Sequence, residues 1–211
     1  MILKGLLTST NDRTILPIMA KGVDTKRMIL ETGLEMVSRL GLESVSIGEL
    51  AKATGMSKSG LFAHFQSKEN LQIDILQHAG RLFSEGVVVP ALRTEAGIPR
   101  IKALVENWVR WTSRLTGGCI FVQTSNDYKD RPGKVRDCLL SQQDIWLDTL
   151  RRIARSAIRV GHFRQQIDCD QFAFELYSLL LGFHLYDKLL KNGAIQERQQ
   201  TALEALIKRY Q

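Results

Sequence analysis

Ser57, Lys58, Ser59 and Gly60, followed by Phe62 and His64, gather two hydroxyls, an ammonium and an imidazole within about two helical turns. Groups of this kind donate hydrogen bonds to phosphate oxygens and to the acceptor edge of guanine, which is binding chemistry rather than catalysis. Three lysines, Lys52, Lys58 and Lys68, lie between Glu49 and Glu69 with no acid among them. The local field is therefore suited to a polyanion.

These groups need a rigid support, and the flanking residues supply one. Ser46 and Glu49 have the spacing of a capping box, so a helix is expected from about Ile47, with Ile47, Leu50 and Ala51 on one face. Thr54-Gly55-Met56 interrupts it, because Gly55 can take the positive φ that a sharp helix exit needs. Ser57 then caps a second helix in which Leu61 and Phe65 point inward and Lys58, Ser59, Phe62 and His64 do not. Two helices joined by so short a turn form a helix-turn-helix, whose second helix can enter the major groove of DNA. A plain helical hairpin with a solvated lysine face is the competing reading. It does not account for two caps and a glycine turn at this one spacing.

From Thr25 to Leu71, about 47 residues, the chain resembles the DNA-binding domain of TetR-family (tetracycline-repressor-like) transcriptional regulators. The resemblance is carried by a first helix ending at Leu40-Gly41, the Ser46-Ile47-x-Glu49-Leu50-Ala51 opening, the Gly55-Met56-Ser57-Lys58 turn, Phe62-x-His64-Phe65, and Ser67-Lys68-Glu69. It implies that Ser57, Lys58, Ser59 and Gly60 meet base edges and nearby phosphates, and that Ser46, His64 and Lys68 hold the DNA backbone. Two positions depart from the family's usual pattern. Phe62 stands where a tyrosine is common, which leaves apolar contact with sugar or a thymine methyl. Gly60 offers no side chain and costs an isolated helix roughly 1 kcal/mol relative to alanine, so base reading is expected to rest on Lys58 and Ser59.

The net charge of +7 over 211 residues also suits a polyanionic partner. Residues 1–80 nevertheless carry only nine Lys/Arg against eight Asp/Glu, so the excess lies downstream of the expected DNA reader. Cys119, Cys138 and Cys169 have neither zinc-ligand spacing nor an even number, as expected of a reducing compartment. Residues 1–23 lack the continuous apolar run of a signal peptide and are expected to form a flexible arm; its basic end, Lys21, Lys26 and Arg27, is either a phosphate contact or without function. The apolar run around Leu179–Phe183 is too short to span a membrane. No phosphate loop, metal-ligand cluster or nucleophile-base set stands out, and His78, His162 and His184 are scattered, so neither an enzyme nor a metal or cofactor is expected.

Downstream, Ser67 is expected to cap a fourth helix to about Phe83, and Gly86–Gly97, containing Pro90, reads as irregular. Apolar residues at helical spacing follow Pro99, from Ile101 to Leu115; then come a short apolar segment Cys119–Gln123, a polar turn Asn126–Gly133, and helices from about Lys134 to Val160, Asp170 to Lys191 and Ile195 to Tyr210. No segment alternates with period two, so the fold class is all-α. Gly118-Cys119, the Asp130–Asp137 turn and the Asp170–Leu176 opening resemble one branch of TetR-like C-terminal domains. That resemblance implies an effector pocket among the central helices and a dimer built from the last two long ones.

Trp108, Trp111, Phe121 and Trp146, with Tyr128 beside them, are candidate pocket walls, although filling a core is the commoner role for each. Phe172, Leu176, Leu179, Leu180 and Phe183 are the candidate dimer interface. Arg151, Arg155 and Arg159 form either an anion-binding stripe or a solvated face, and Cys119 is either a redox sensor or a small buried hydrophobe. The expected organisation is an arm (1–23), a helix-turn-helix domain (24–70) and an effector-binding and dimerisation domain (71–211). The expected function is a cytoplasmic homodimeric repressor, released from a palindromic double-stranded DNA operator by a small-molecule effector. The alternative is a helical ligand- or protein-binding module without DNA binding.

Overall fold

The computed structural model describes residues 15–191 and 193–211, and every regular element among them is helical. Helices α1 (Ile15–Leu40), α2 (Ile47–Thr54), α3 (Lys58–Phe65) and α4 (Lys68–Phe83) come first, with a 3-10 turn at Leu42–Ser44 before α2. A π-helical turn, Ser84–Val88, carries α4 into the short α5 (Val89–Leu92). The remaining helices are α6 (Ile98–Arg114), α7 (Ile120–Tyr128), α8 (Lys134–Arg159), α9 (Cys169–Lys188) and α10 (Ile195–Tyr210).

Local chemistry sets the ends of the helices nearest the reading head. Ser46, Ser57 and Ser67 each accept, through the side-chain hydroxyl, the backbone N–H three residues on, and so start α2, α3 and α4. Gly55 ends α2 at φ 69°, a left-handed conformation that a side chain resists. The return half of the capping box is replaced: the Glu49 carboxylate pairs with Lys52 Nζ at 2.9 Å.

One apolar core runs through the chain. Ile29, Leu34, Val37, Leu50, Leu61, Phe65, Leu71 and Ile75 hold α1 to α4 together, and α4 then packs along α8. The fourth helix thus belongs to the reading head at one end and to the helical body at the other. Phe163, Phe172 and Tyr210 meet as a ring cluster that fastens α9 and α10, with Phe172 5.0 Å from Tyr210 between ring centroids.

Several expectations change. The stretch expected to be irregular is helical through Leu92, because Pro90 falls in the first turn of α5, where a missing N–H costs little. The segment after Cys119 is not a short apolar piece before a turn but one helix to Tyr128. Of the expected arm, residues 1–14 lie outside the described residues, whereas α1 begins at Ile15. At the arm's basic end, Lys26 pairs with Asp74 at 2.6 Å and lies over the Phe65 ring, while Arg27 pairs with Glu31.

The candidate dimer residues are corrected as well. Phe172, Leu176 and Leu180 are 0% exposed, Phe183 is buried, and Leu179 packs against the same core. Phe172, Leu176, Leu180 and Phe183 serve the chain's own interior, Phe172 against Tyr210 of α10 and Phe183 against Trp108 of α6, while Leu179 is half-buried.

Candidate functional site

The outer surface of α2 and α3 is built for an extended polar partner. Ser57, Lys58, Ser59 and Phe62 are all exposed, while Leu61 and Phe65 on the opposite side anchor α3 in the core. The Ser57 hydroxyl caps Gly60 N–H at 3.1 Å and lies 3.1 Å from the Ser59 hydroxyl, so the start of α3 is held by its own serines. Of the three lysines, Lys52 is paired with Glu49 and Lys68 with Glu43. Lys58 makes no ion pair among the described residues, and its stem lies beside Gly48 at the start of α2. The charge available to a phosphate or a guanine edge is therefore concentrated on Lys58. Phe62, 56% exposed, presents an apolar ring on the same helix. His64 is half-buried, its ring 6.0 Å from that of Phe65.

Lys68 has an intramolecular role that the sequence did not suggest. Its Nζ donates to the Glu43 carbonyl at 2.8 Å and to the Glu43 carboxylate at 3.1 Å. The same carboxylate accepts the Tyr128 hydroxyl and lies 3.4 Å from Arg131. Tyr128 is thus not a pocket wall; it ties the end of α7 to the turn that precedes α2. Gln72 adds a buried hydrogen bond from its amide to the Leu42 carbonyl, at 3.0 Å.

The Tyr128 hydrogen bond, with Lys68 and Arg131, holds the Glu43 carboxyl below its ordinary value of 4.5, against a smaller opposing effect of burial. A depressed folded-state value means that the network's contribution is complete at neutral pH and is lost as pH falls through the acidic range, from about 5 toward 3. Glu43→Gln is expected to flatten the fall in melting temperature over that range. Thermal melts of both proteins across it check this.

A second site lies in the helical body. A cavity of about 90 Å³ is walled by Phe83 of α4, Trp108 of α6, Cys119 and Phe121 at α7, Trp146 of α8 and Tyr177 of α9. The Phe83 ring meets Trp111, Phe121 and Trp146 edge-on, at centroid separations of 5.5, 5.9 and 5.0 Å. Three of the four candidate rings, Trp108, Phe121 and Trp146, line the cavity, and Trp111 stands behind Phe83. Spacing along the chain did not mark Phe83, Gln142, Gln143 or Tyr177, because α4, α8 and α9 must converge before these residues share a wall. The Tyr177 hydroxyl donates to Gln143 Oε1 at 2.9 Å, and Gln143 Nε2 donates to Ser125 Oγ at 3.3 Å. The Trp146 indole N–H is buried without a hydrogen-bond partner.

Cys119 is buried beside this cavity, and desolvation raises its thiol above the ordinary value. A neutral, shielded thiol is a poor redox sensor. His184 and His162 are not isolated: His184 Nε2 accepts the Cys119 N–H at 3.1 Å, and His162 Nδ1 accepts that of Ile98 at 3.2 Å. Arg151 is bonded to Asp170 rather than left open to an anion. Among the described residues no cluster of His, Cys, Asp and Glu could hold a metal ion, and no helix is long and apolar enough to cross a membrane.

Comparison with known proteins agrees with this geometry. Residues 29–74 match the family of bacterial regulatory proteins of the tetR type, and residues 97–203 match the tetracyclin repressor-like C-terminal domain. The HTH-type transcriptional regulator AcrR of Shigella flexneri is 36% identical over 52 residues, 25% of this chain and 24% of that one, so the chain spans about a quarter of that relative's length. A TetR transcriptional regulator from Chloroflexus aurantiacus superposes with a TM-score of 0.79 at 23% identity, covering 90% of this chain and 96% of the other. AibR, in complex with isovaleryl coenzyme A and operator DNA, does so with a TM-score of 0.66 at 22% identity, covering 87% and 96%. These two likenesses show the fold, and the matched C-terminal model alone spans half of the chain. The protein belongs to the TetR family of bacterial regulatory proteins.

Proposed function

We propose that this protein is a cytoplasmic, homodimeric transcriptional repressor that binds a palindromic operator and is released from it by a small molecule held in the aromatic cavity. One observation carries the reading: α4 joins the two sites, packing under the exposed Ser57-Lys58-Ser59 surface at its start and ending in Phe83, a wall of the cavity. A ligand that moves Phe83 moves the helix on which the reading head sits. A coupling of about 1–3 kcal/mol, or 5–150-fold in operator affinity, is enough for a switch. On this reading residues 24–70 read DNA, and residues 71–211 bind effector and partner. The similarity to AibR, whose structure holds both a ligand and operator DNA, supports the same division of labour.

The dimer rests on a different face from the one expected. Phe174, Leu181 and Leu185 recur along the outer side of α9, with Tyr186 beside them and Leu189 and Leu190 just past its end; Phe174 is 65% and Leu189 71% exposed. Such a stripe is costly in water and suits a two-fold contact between helices. Leu185→Glu is expected to shift the protein from dimer to monomer at micromolar concentration in equilibrium sedimentation. Operator affinity should fall with it, because two heads no longer bind together.

Retardation of DNA from the protein's own promoter region, measured against salt, tests the reading as a whole. The logarithm of affinity should fall linearly with the logarithm of salt concentration, at a slope of about −0.9 per phosphate neutralised. Failure to prefer that DNA over unrelated duplex would overturn it.

A further inference from the structure

We propose that the cavity takes an uncharged, flat molecule of about one aromatic ring that carries a hydrogen-bond acceptor, such as a carbonyl oxygen, turned toward the indole N–H of Trp146. This deepens the effector reading above and takes its location from it.

Shape comes from the walls. Phe83 stands edge-on to Phe121 and Trp146, so the rings bound a narrow space in which a planar guest can take the same offset or edge-to-face contacts. Charge comes from what the walls lack. No carboxylate, ammonium, guanidinium or imidazole is among the residues that line the cavity, whose polar members are amides, hydroxyls, two indoles and a thiol. The two walls that could ionise are held neutral by burial, Cys119 with its thiol raised and Tyr177 pushed up to about 12. An ionic guest loses its hydration here and finds no counter-charge.

The acceptor follows from hydrogen-bond accounting. Tyr177 already spends its hydroxyl proton on Gln143, whereas the Trp146 N–H has no acceptor. A buried donor left unpaired is costly, and a guest oxygen removes that cost. Volume adds a mechanical consequence. At about 90 Å³ the cavity is smaller than the ~150 Å³ apolar cavity known to admit benzene. A ring therefore fits fully only as the walls give way, and Phe83 and Gly80 make α4 one of those walls.

Calorimetric titration of the full chain with three matched one-ring probes tests the proposal: acetophenone (ring and carbonyl), ethylbenzene (ring without acceptor) and benzoate (ring with charge). At neutral pH acetophenone is expected to bind about 2- to 10-fold more tightly than ethylbenzene, and benzoate at least about 10-fold more weakly than acetophenone. Trp146→Phe keeps a ring and removes the N–H, so the advantage of acetophenone over ethylbenzene should vanish while ethylbenzene binding persists. Gln142→Lys brings an ammonium to the wall and should gain benzoate binding, a readout that does not depend on the tryptophan variant folding.

Benzoate binding the unaltered protein as tightly as acetophenone would overturn the proposal. So would no acetophenone binding, a ketone advantage that survives in Trp146→Phe, or no gain of benzoate in Gln142→Lys. Operator release is read separately. Saturating acetophenone that binds as expected but leaves operator affinity unchanged supports the ligand class and overturns the effector reading instead.

Discussion

Gly117→Ala is expected to destabilise the protein by about 3 kcal/mol, and to lower its melting temperature by roughly 6–12 °C for a chain of this size. A Cβ at this position overlaps the backbone carbonyl of Ser38 in α1, and no side-chain rotation relieves a clash with main chain. Either the loop after α6 or the end of α1 must move. Moving them strains a small set of bonds: Gly117 N–H to Ser38 Oγ at 3.3 Å, Thr116 Oγ1 to Glu35 at 2.6 Å and Gln123 Nε2 to the Gly117 carbonyl at 2.7 Å. The first two of these bonds fasten the reading head to the helical body, and the third holds the loop to α7. Gly86→Ala is the matched control, since a Cβ there meets nothing within 4 Å and its helical backbone favours alanine by up to about 1 kcal/mol. Denaturation of the two variants side by side checks the prediction; equal stabilities would mean that the junction tolerates a shift of α1.

Lys58→Ala is expected to have the largest effect on DNA binding. A side chain that reads a guanine edge is worth about 1–3 kcal/mol, and a two-fold dimer loses it twice, so operator affinity should fall by about 2–6 kcal/mol, or 30-fold and more. The expectation rests on Lys58 making no ion pair among the described residues while Lys52 and Lys68 are held by Glu49 and Glu43. Comparing operator with unrelated duplex distinguishes the two modes of contact. Loss confined to operator identifies base reading, whereas a uniform loss with a shallower salt slope identifies phosphate contact. If neither affinity nor sequence preference changed, Lys58 would not be the principal contact of α3.

The reading head was legible because its signals are local. A serine three residues before the N–H it caps, a glycine in the turn, and Leu61 and Phe65 four apart define α2 and α3 without reference to the rest of the chain. The last helix was equally plain, with Ile195 and Tyr210 as its ends. Pro90 was misleading because a proline disrupts only a helix that needs its N–H, and its place in the first turn of α5 became visible once the π-helical turn was seen. The Glu43 network was hidden for another reason. Tyr128 lies 85 residues from Glu43 along the chain, and neither residue carries a mark of the other.

Sequence alone determined the all-α class, the helix-turn-helix with its caps, and the exposed serine-lysine surface, since each follows from residues within a few turns of one another. Tertiary structure decided which of Lys52, Lys58 and Lys68 makes no ion pair among the described residues, which rings enclose the cavity, and which side of α9 faces outward. The physical reason is clearest on α9. Its apolar residues occupy both sides, Phe172, Leu176, Leu180 and Phe183 on one and Phe174, Leu181 and Leu185 on the other. Helical periodicity places residues on a common face but does not rank two apolar faces. Only packing against α8 and α10 chose which one the chain keeps for its own core.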